Sequence, residues 1–211
     1  MSARHQPFTL AGGAGPLQCV LELPDADHYP APRGIALVAH PHPLFGGAMD
    51  NKVTTTLART FTGIGYVAVR MNFRGVGASA GVHDEGRGET DDMELLLNHV
   101  LAQYPGLPVA LAGFSFGTLV QAQLQQRLAA QGRPAERLVL TGTAAGKWPV
   151  PEVPANTIVI HGEQDDTIPL SDVLDWARPQ DLPVIVIPGC DHFFHRKLQH
   201  IKNFVVEMWH R

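Results

Sequence analysis

The stretch that most restricts how this chain can fold is Leu107-Pro-Val-Ala-Leu-Ala-Gly-Phe-Ser-Phe-Gly117. Residues 109–112 have the length and type of a buried strand, and beyond Gly117 the apolar positions recur on a helical period. The chain must therefore turn from strand into helix within a few residues, with Ser115 at the bend. Glycines two before and two after the serine suit such a turn. Side chains there would collide with the neighbouring strand and helix, while the serine itself takes up strained backbone geometry. The bend lifts the Ser115 hydroxyl out of the fold and turns the free N–H groups and positive end of the next helix toward the same spot. A hydroxyl so placed suits a nucleophile.

Strands and helices alternate around this corner. Residues 8–10 and 17–23 flank a Gly-rich turn and read as an N-terminal hairpin. Residues 34–40, 66–72, 137–141 and 157–161 are short apolar runs of the kind covered on both faces, and 184–187 makes the last strand. Between them lie helical patterns. One is capped by Asp50 or Asn51 and carries Val53, Leu57 and Phe61; a second opens at Thr90 or Asp91. The helix after Ser115 buries Leu119, Val120, Leu124 and Leu128 and leaves its four glutamines largely outward. A short helix at 171–178 and a C-terminal one carrying Leu198, Ile201, Val205 and Met208 complete the set. The alternation calls for an α/β fold with a mainly parallel sheet and helices on both faces. With 211 residues, 45% of them hydrophobic, the chain suits a single domain over 1–211.

In such a sheet, functional groups collect beyond the carboxyl ends of the strands. After the central strand comes Ser115. After 157–161 comes Gly162-Glu-Gln-Asp-Asp-Thr-Ile-Pro169, and after 184–187 comes Gly189-Cys-Asp-His-Phe193. Nucleophile, acid, histidine is the order expected where a serine elbow sits on a parallel sheet. A serine hydroxyl needs a base to take its proton, and the base needs a carboxylate to fix its tautomer. His192 is read as the base. Asp165 is favoured as the acid over Asp166, with Glu163 behind them; His195, His200 and His210, in or near the last helix, are poorer candidates for the base.

A developing oxyanion needs two N–H donors. The backbone N–H of Phe116 is one. The other is sought in His40-Pro-His-Pro-Leu-Phe-Gly-Gly47, where Pro41 and Pro43 have no N–H. His42 or Leu44 remains, with His42 placed first because it stands two residues past the strand-end His40. Two histidines one apart, with no third ligand signalled, do not make a metal site.

The net charge of −4 and the absence of a Lys/Arg cluster argue against a nucleic-acid surface. The expected partner is a small molecule. No segment has the roughly 18 apolar residues that cross a bilayer, and residues 1–8 show no apolar signal-peptide core, so a cytoplasmic location is expected. Cys19 and Cys190 read as buried thiols. No pattern signals an oligomeric state.

Taken together, these motifs resemble the α/β-hydrolase superfamily over nearly the whole chain. Gly-Phe-Ser-Phe-Gly is similar to its nucleophile elbow, and Asn72-Phe-Arg-Gly-Val-Gly-Ala-Ser79 to its Arg-Gly-x-Gly-x-Ser turn. His161-Gly-Glu-Gln-Asp165 and Asp191-His192 are similar to its acid and histidine loops. His-Pro-His-Pro-Leu-Phe-Gly-Gly with Asn51-Lys-Val resembles a group of small, lidless bacterial serine hydrolases near the dienelactone-hydrolase and acyl-peptidase branches, with His-Pro where His-Gly is usual. The resemblance implies the doubly wound α/β-hydrolase fold, no cofactor, and a structural role for Arg74 in tying strand-end loops. Residues 144–156 are too few for the cap domain of many relatives, so an open cleft is expected, walled by some of Leu44, Phe45, Phe116, Trp148 and Phe193. The function expected is that of a carboxylic-ester hydrolase acting on small to medium acyl esters through an acyl-enzyme on Ser115. The alternatives keep the same residues and change the bond, to a thioester, amide or lactone or a haloperoxidase-like reaction, or leave a silent scaffold that binds a ligand or partner.

Overall fold

The computed structural model describes residues 4–209. Strands β1 (His5–Gly12) and β2 (Gly15–Glu22) form the antiparallel N-terminal hairpin. There follow β3 (Gly34–Ala39), α1 (Lys52–Gly63), β4 (Tyr66–Met71), α2 (Arg87–Gln103), β5 (Val109–Phe114), α3 (Phe116–Ala130) and β6 (Arg137–Thr141). Then come β7 (Ile158–Gly162), α4 (Leu170–Ala177), β8 (Val184–Ile187) and α5 (Leu198–Trp209). All eight strands lie in one sheet in the order β1-β2-β4-β3-β5-β6-β7-β8. The hairpin joins it antiparallel, through β2 and β4, and every pairing from β4 to β8 is parallel.

The pleat divides the core in two. Ile35, Leu37, Val67, Val69 and Leu111 face the helices α2, α3 and α4, while Ala36, Val38, Ala68, Ala110 and Ala112, the alternate residues, face α1 and α5. Both faces are covered, which is why these strands read as unbroken apolar runs. The strand order also locates the crevice. From β3 the chain moves outward to β4, and from β5 it moves the other way to β6, so the loops after β3 and β5 diverge where the winding reverses. Those loops carry the His-Pro-His-Pro segment and Ser115.

Residues 142–157 connect β6 to β7 without any helix or strand, so no cap covers the carboxyl end of the sheet. No helix among the described residues is long and apolar enough to cross a membrane. Both cysteines are free and buried.

Two local expectations differ from the structure. Helix α2 starts at Arg87, a turn earlier than Thr90, because the Glu89 carboxylate reaches back to the Gly86 N–H at 2.9 Å and closes the first turn without any apolar residue to mark it. The glutamines of α3 are not all outward: Gln121 and Gln125 are buried. Gln121 donates to the carbonyls of Leu37 and Ala112 at 2.8 and 3.0 Å, and Gln125 accepts from the Ala135 N–H at 2.9 Å. Each bonds main-chain groups of other segments, which offsets part of the cost of burial, although the Gln121 side-chain oxygen is left without a partner among the described residues.

Candidate active site

The turn at Ser115 has the backbone that the flanking glycines permit. Ser115 sits at φ 53° and ψ −124°, a conformation few non-glycine residues adopt. A Cβ on Gly113 would lie 2.5 Å from the Gly117 carbonyl oxygen, and one on Gly117 would lie 2.6 and 2.7 Å from the carbonyl oxygens of Ala39 and His40. Helix α3 thus packs directly on the backbone of the neighbouring strand end. The turn is tied by Ser115 N–H to Thr141 O at 3.0 Å and by Thr118, whose N–H and hydroxyl both donate to Ser115 O.

The loops after β7 and β8 bring the other two groups to this point. His192 Nε2 is 3.0 Å from Ser115 Oγ, and His192 Nδ1 is 2.7 Å from Asp165 Oδ2. All three side chains are buried. A carboxylate can only accept, so Nδ1 carries the proton and Nε2 is left as the acceptor facing the serine hydroxyl. The Asp165 carboxylate is itself fixed: its Oδ1 accepts the N–H groups of Thr167 and Ile168 at 2.9 and 2.7 Å. Asp166 is exposed, with only the Thr167 hydroxyl nearby at 3.4 Å. Glu163 has a different place, accepting the Gly189 N–H at 2.7 Å and so tying the acid loop to the histidine loop. A Cβ on Gly162 would meet Cys190 O at 2.4 Å, which shows how closely those two loops approach.

Of the remaining histidines, His195 pairs with Asp191 and His200 stacks on Phe204, while His210 lies outside the described residues. His40 is buried with both ring nitrogens engaged, Nδ1 with Pro41 O at 2.6 Å and Nε2 accepting the Phe73 N–H at 2.9 Å; burial brings its pKa down to about 4. His161 lies beneath the acid, Nε2 on Ile168 O at 2.9 Å and 3.4 Å from Asp165 Oδ2, and burial lowers its pKa as well. Among the described residues no group of three or more His, Cys, Asp or Glu is placed to hold a metal ion.

Phe116 directly follows Ser115, and His42 lines the same cleft as Ser115. Phe116 opens α3, where an N–H has no intrahelical acceptor. In the loop after β3 the Leu44 N–H donates to His42 Nδ1 at 3.2 Å, whereas the His42 N–H has no protein acceptor among the described residues. The loop is held by the His42 carbonyl, which accepts from Phe45 and Gly47 at 3.2 and 3.0 Å. Arg74 bonds Asp92 Oδ2 at 2.9 Å, tying the loop after β4 to α2.

A cleft of about 300 Å³ opens over Ser115, with Phe45, Trp148, Phe193, Lys147, Thr167 and Asn51 in its wall. It adjoins a hollow of about 470 Å³ between the start of α1 and residues 193–198, the two sharing Asn51 and Phe193. Leu44 is not in the wall, a correction to the sequence-based expectation: residues 43–45 form a 3-10 turn, which rotates successive side chains by about 120°, so Phe45 lines the cleft and Leu44 does not. The Phe116 side chain is also not a wall; it is fully buried against Phe73, His83 and Trp148. Lys147 and Thr167 were not anticipated, since nothing in their sequence neighbourhoods marks them.

Comparison with known proteins agrees with this fold. The profile of a hydrolase family described as serine aminopeptidase, S33, matches residues 31–173. An uncharacterized protein of Rickettsia prowazekii is 31% identical over 190 residues, covering 81% of this chain and 76% of that one. Two solved structures are similar throughout. XC6422 of Xanthomonas campestris, described as an α/β serine hydrolase without lid, is 36% identical, with a TM-score of 0.89 over 99% of this chain and 94% of that chain. An α/β serine hydrolase homologue from Coxiella burnetii is 30% identical, with a TM-score of 0.82 over 96% of each chain.

Proposed function

Since the chain belongs to the S33 serine aminopeptidase family of α/β hydrolases, in a form without a cap, we propose that it hydrolyses carboxylic esters of small to medium acyl groups through an acyl-enzyme on Ser115. The observation that carries this reading is the line Asp165 Oδ2, His192 Nδ1, His192 Nε2, Ser115 Oγ, with its steps of 2.7 and 3.0 Å. Ser115 Oγ attacks the ester carbonyl carbon as His192 Nε2 takes the hydroxyl proton. The carbonyl oxygen, now negative, accepts from the N–H groups of Phe116 and His42. His192 then passes its proton to the departing alkoxide, the C–O bond breaks, and the alcohol leaves an acyl-Ser115. Water enters and its oxygen attacks the acyl carbon as His192 Nε2 takes one of its protons. The second tetrahedral adduct then collapses, the bond from Ser115 Oγ to carbon breaking as His192 returns the proton to Oγ, which frees the acid and the serine.

The family's description raises peptide substrates with a free amino terminus. Such a substrate presents an ammonium group, which a carboxylate in the cleft would receive. The cleft wall contains no Asp or Glu among the described residues and does contain Lys147, whose charge repels an ammonium. The walls are instead aromatic, through Phe45, Trp148 and Phe193, and open at the top, which favours uncharged acyl groups with modest discrimination.

The test combines labelling with a substrate panel. A fluorophosphonate probe is expected to label the folded protein and not its Ser115→Ala variant. Aryl acetate and butyrate esters are expected to turn over faster than an acyl-CoA or an aminoacyl anilide. Absence of labelling would leave only a binding scaffold, and a strong preference for the acyl-CoA would reassign the bond cleaved to a thioester.

A further inference from the structure

Behind the oxyanion loop lies a cluster that the reaction above does not use. Glu89, at the start of α2, is fully buried. Its carboxylate accepts from His83 Nδ1 at 3.0 Å and from the N–H groups of Asp84 and Gly86, each at 2.9 Å. Three donors on one buried carboxylate make a rigid anchor, and His83 is the side chain it holds.

The place of the His83 ring is specific. Its centroid is 4.6 Å from that of His42 and 5.2 Å from that of Phe116, and the His42 and Phe116 rings are 4.8 Å apart. Phe116 directly follows Ser115 and His42 lines its cleft, and theirs are the N–H groups proposed above for the oxyanion. On its other sides the His42 ring meets Phe45 at 4.7 Å and Trp148 at 5.3 Å, and its Nδ1 accepts the Leu44 N–H. Burial, and after it the neighbouring His83, lower the pKa of His42, which keeps Nδ1 free to accept that bond. A ring enclosed in this way cannot shift without carrying its main chain along.

We propose that His83, anchored by Glu89, is a positioning residue for the oxyanion hole, a wedge that sets the separation of the His42 and Phe116 N–H groups. The proposal rests on the hydrolase reading of Ser115. It has a physical motive in the loop itself: the His42 N–H comes from an irregular segment between two prolines, with no strand or helix to aim it, whereas the Phe116 N–H is aimed by α3. Packing against His83 references the first donor to the second.

The experiment compares His83→Ala, His83→Phe and His83→Asn in the full chain, using an aryl butyrate ester and an alkyl boronic acid, which becomes tetrahedral on the serine. His83→Ala is expected to lower kcat about 10- to 100-fold while KM stays within about twofold, because only the transition state uses the donors. Boronic acid affinity is expected to fall by the same factor. His83→Phe restores a ring and recovers most of the loss; His83→Asn keeps a donor for Glu89 without the ring and does not. Wild-type kcat in His83→Ala, or in His83→Asn should the alanine variant fail to fold, overturns the proposal. So does a fall in kcat with boronic acid binding unchanged. A wild-type protein inert to both esters and the fluorophosphonate would instead overturn the hydrolase reading, so the two failures are distinguishable.

Discussion

Among the described residues, two imidazoles have an Nδ1 that meets a buried carboxylate, His192 on Asp165 at 2.7 Å and His83 on Glu89 at 3.0 Å. The carboxylates are held alike, each accepting two main-chain N–H groups besides the histidine. They differ in what the rest of the ring meets. His192 turns Nε2 to a hydroxyl raised on a strained turn, at the floor of a cleft; His83 meets the rings of His42 and Phe116. A buried acid behind a histidine therefore fixes the ring and its tautomer without assigning it a reaction. The neighbour at the far edge decides whether the ring can move a proton or only hold a position.

The most forceful way to break this comparison is to remove the acid behind His192. Asp165→Asn is expected to lower kcat by about 10⁴-fold, since the ring loses the acceptor that fixes its tautomer. Asp166→Asn, one residue away and exposed, should stay within about twofold of wild type because it removes no oriented group. Ester hydrolysis by the two variants, side by side, checks the assignment.

Next in size is a change to the ground on which the serine stands. Gly117→Ala puts a methyl group 2.6 Å from Ala39 O and 2.7 Å from His40 O, both main chain, so the turn or the oxyanion loop must give way. Loss of about 10²-fold in kcat is expected, with about 1–3 kcal/mol of stability. Denaturant unfolding and turnover on the same preparation separate the two effects.

On the other pair, Glu89→Gln places an amide where three donors converge, so one donor loses its acceptor. It is expected to cost about 1–3 kcal/mol in unfolding free energy. Its loss in kcat should be less than about tenfold, far below that of Asp165→Asn. Equal losses in the two variants would erase the distinction drawn between the pairs.

A third kind of histidine sharpens it. His40 is buried with no acid behind it, and its pKa falls from an ordinary value near 6.5 to about 4. Below pH 6.5 the unfolded chain takes up a proton that the folded protein refuses, so this contribution is complete above pH 6.5 and is lost progressively toward pH 4. The span corresponds to on the order of 3 kcal/mol. His161, its pKa also lowered by burial, acts in the same direction. Urea unfolding between pH 8 and pH 4.5 should show stability falling from neutrality downward. The smallest effect concerns the thiols: burial raises Cys19 to about 12 and Cys190 to about 11, so a disulfide reagent at pH 8 should react only after unfolding.

Much of this arrangement could be read from the chain before any coordinates. The apolar runs that became β3 to β7 are covered on both faces, and such strands need no alternation to be recognised; β8, at the sheet edge, leaves Val186 exposed. The glycines at 113 and 117 announced a strand-to-helix turn because only a missing Cβ lets α3 sit against the Ala39 and His40 carbonyls. Where reading failed, the controlling partner was distant in sequence. Gln121 and Gln125 looked like the polar face of a helix, yet both are buried on main-chain groups of other segments. Leu44 and Phe45 could not be told apart, because a single 3-10 turn decides which of them faces the cleft. His83 and Glu89 lie in a polar stretch with no periodicity, and their meaning rests on rings 41 and 33 residues away from His83 in the chain, at His42 and Phe116.

Local order along the chain, then, was enough to establish a mainly parallel sheet with helices on both faces and the succession of serine, acid and histidine, since strand length, helical period and the room a glycine provides are properties of neighbouring residues. Tertiary structure alone determined which carboxylate stands behind His192, which loop residues line the cleft and which histidine ring packs against His42. Those are matters of a few tenths of an ångström between groups on separate loops, and only the packing of the whole domain sets distances of that kind.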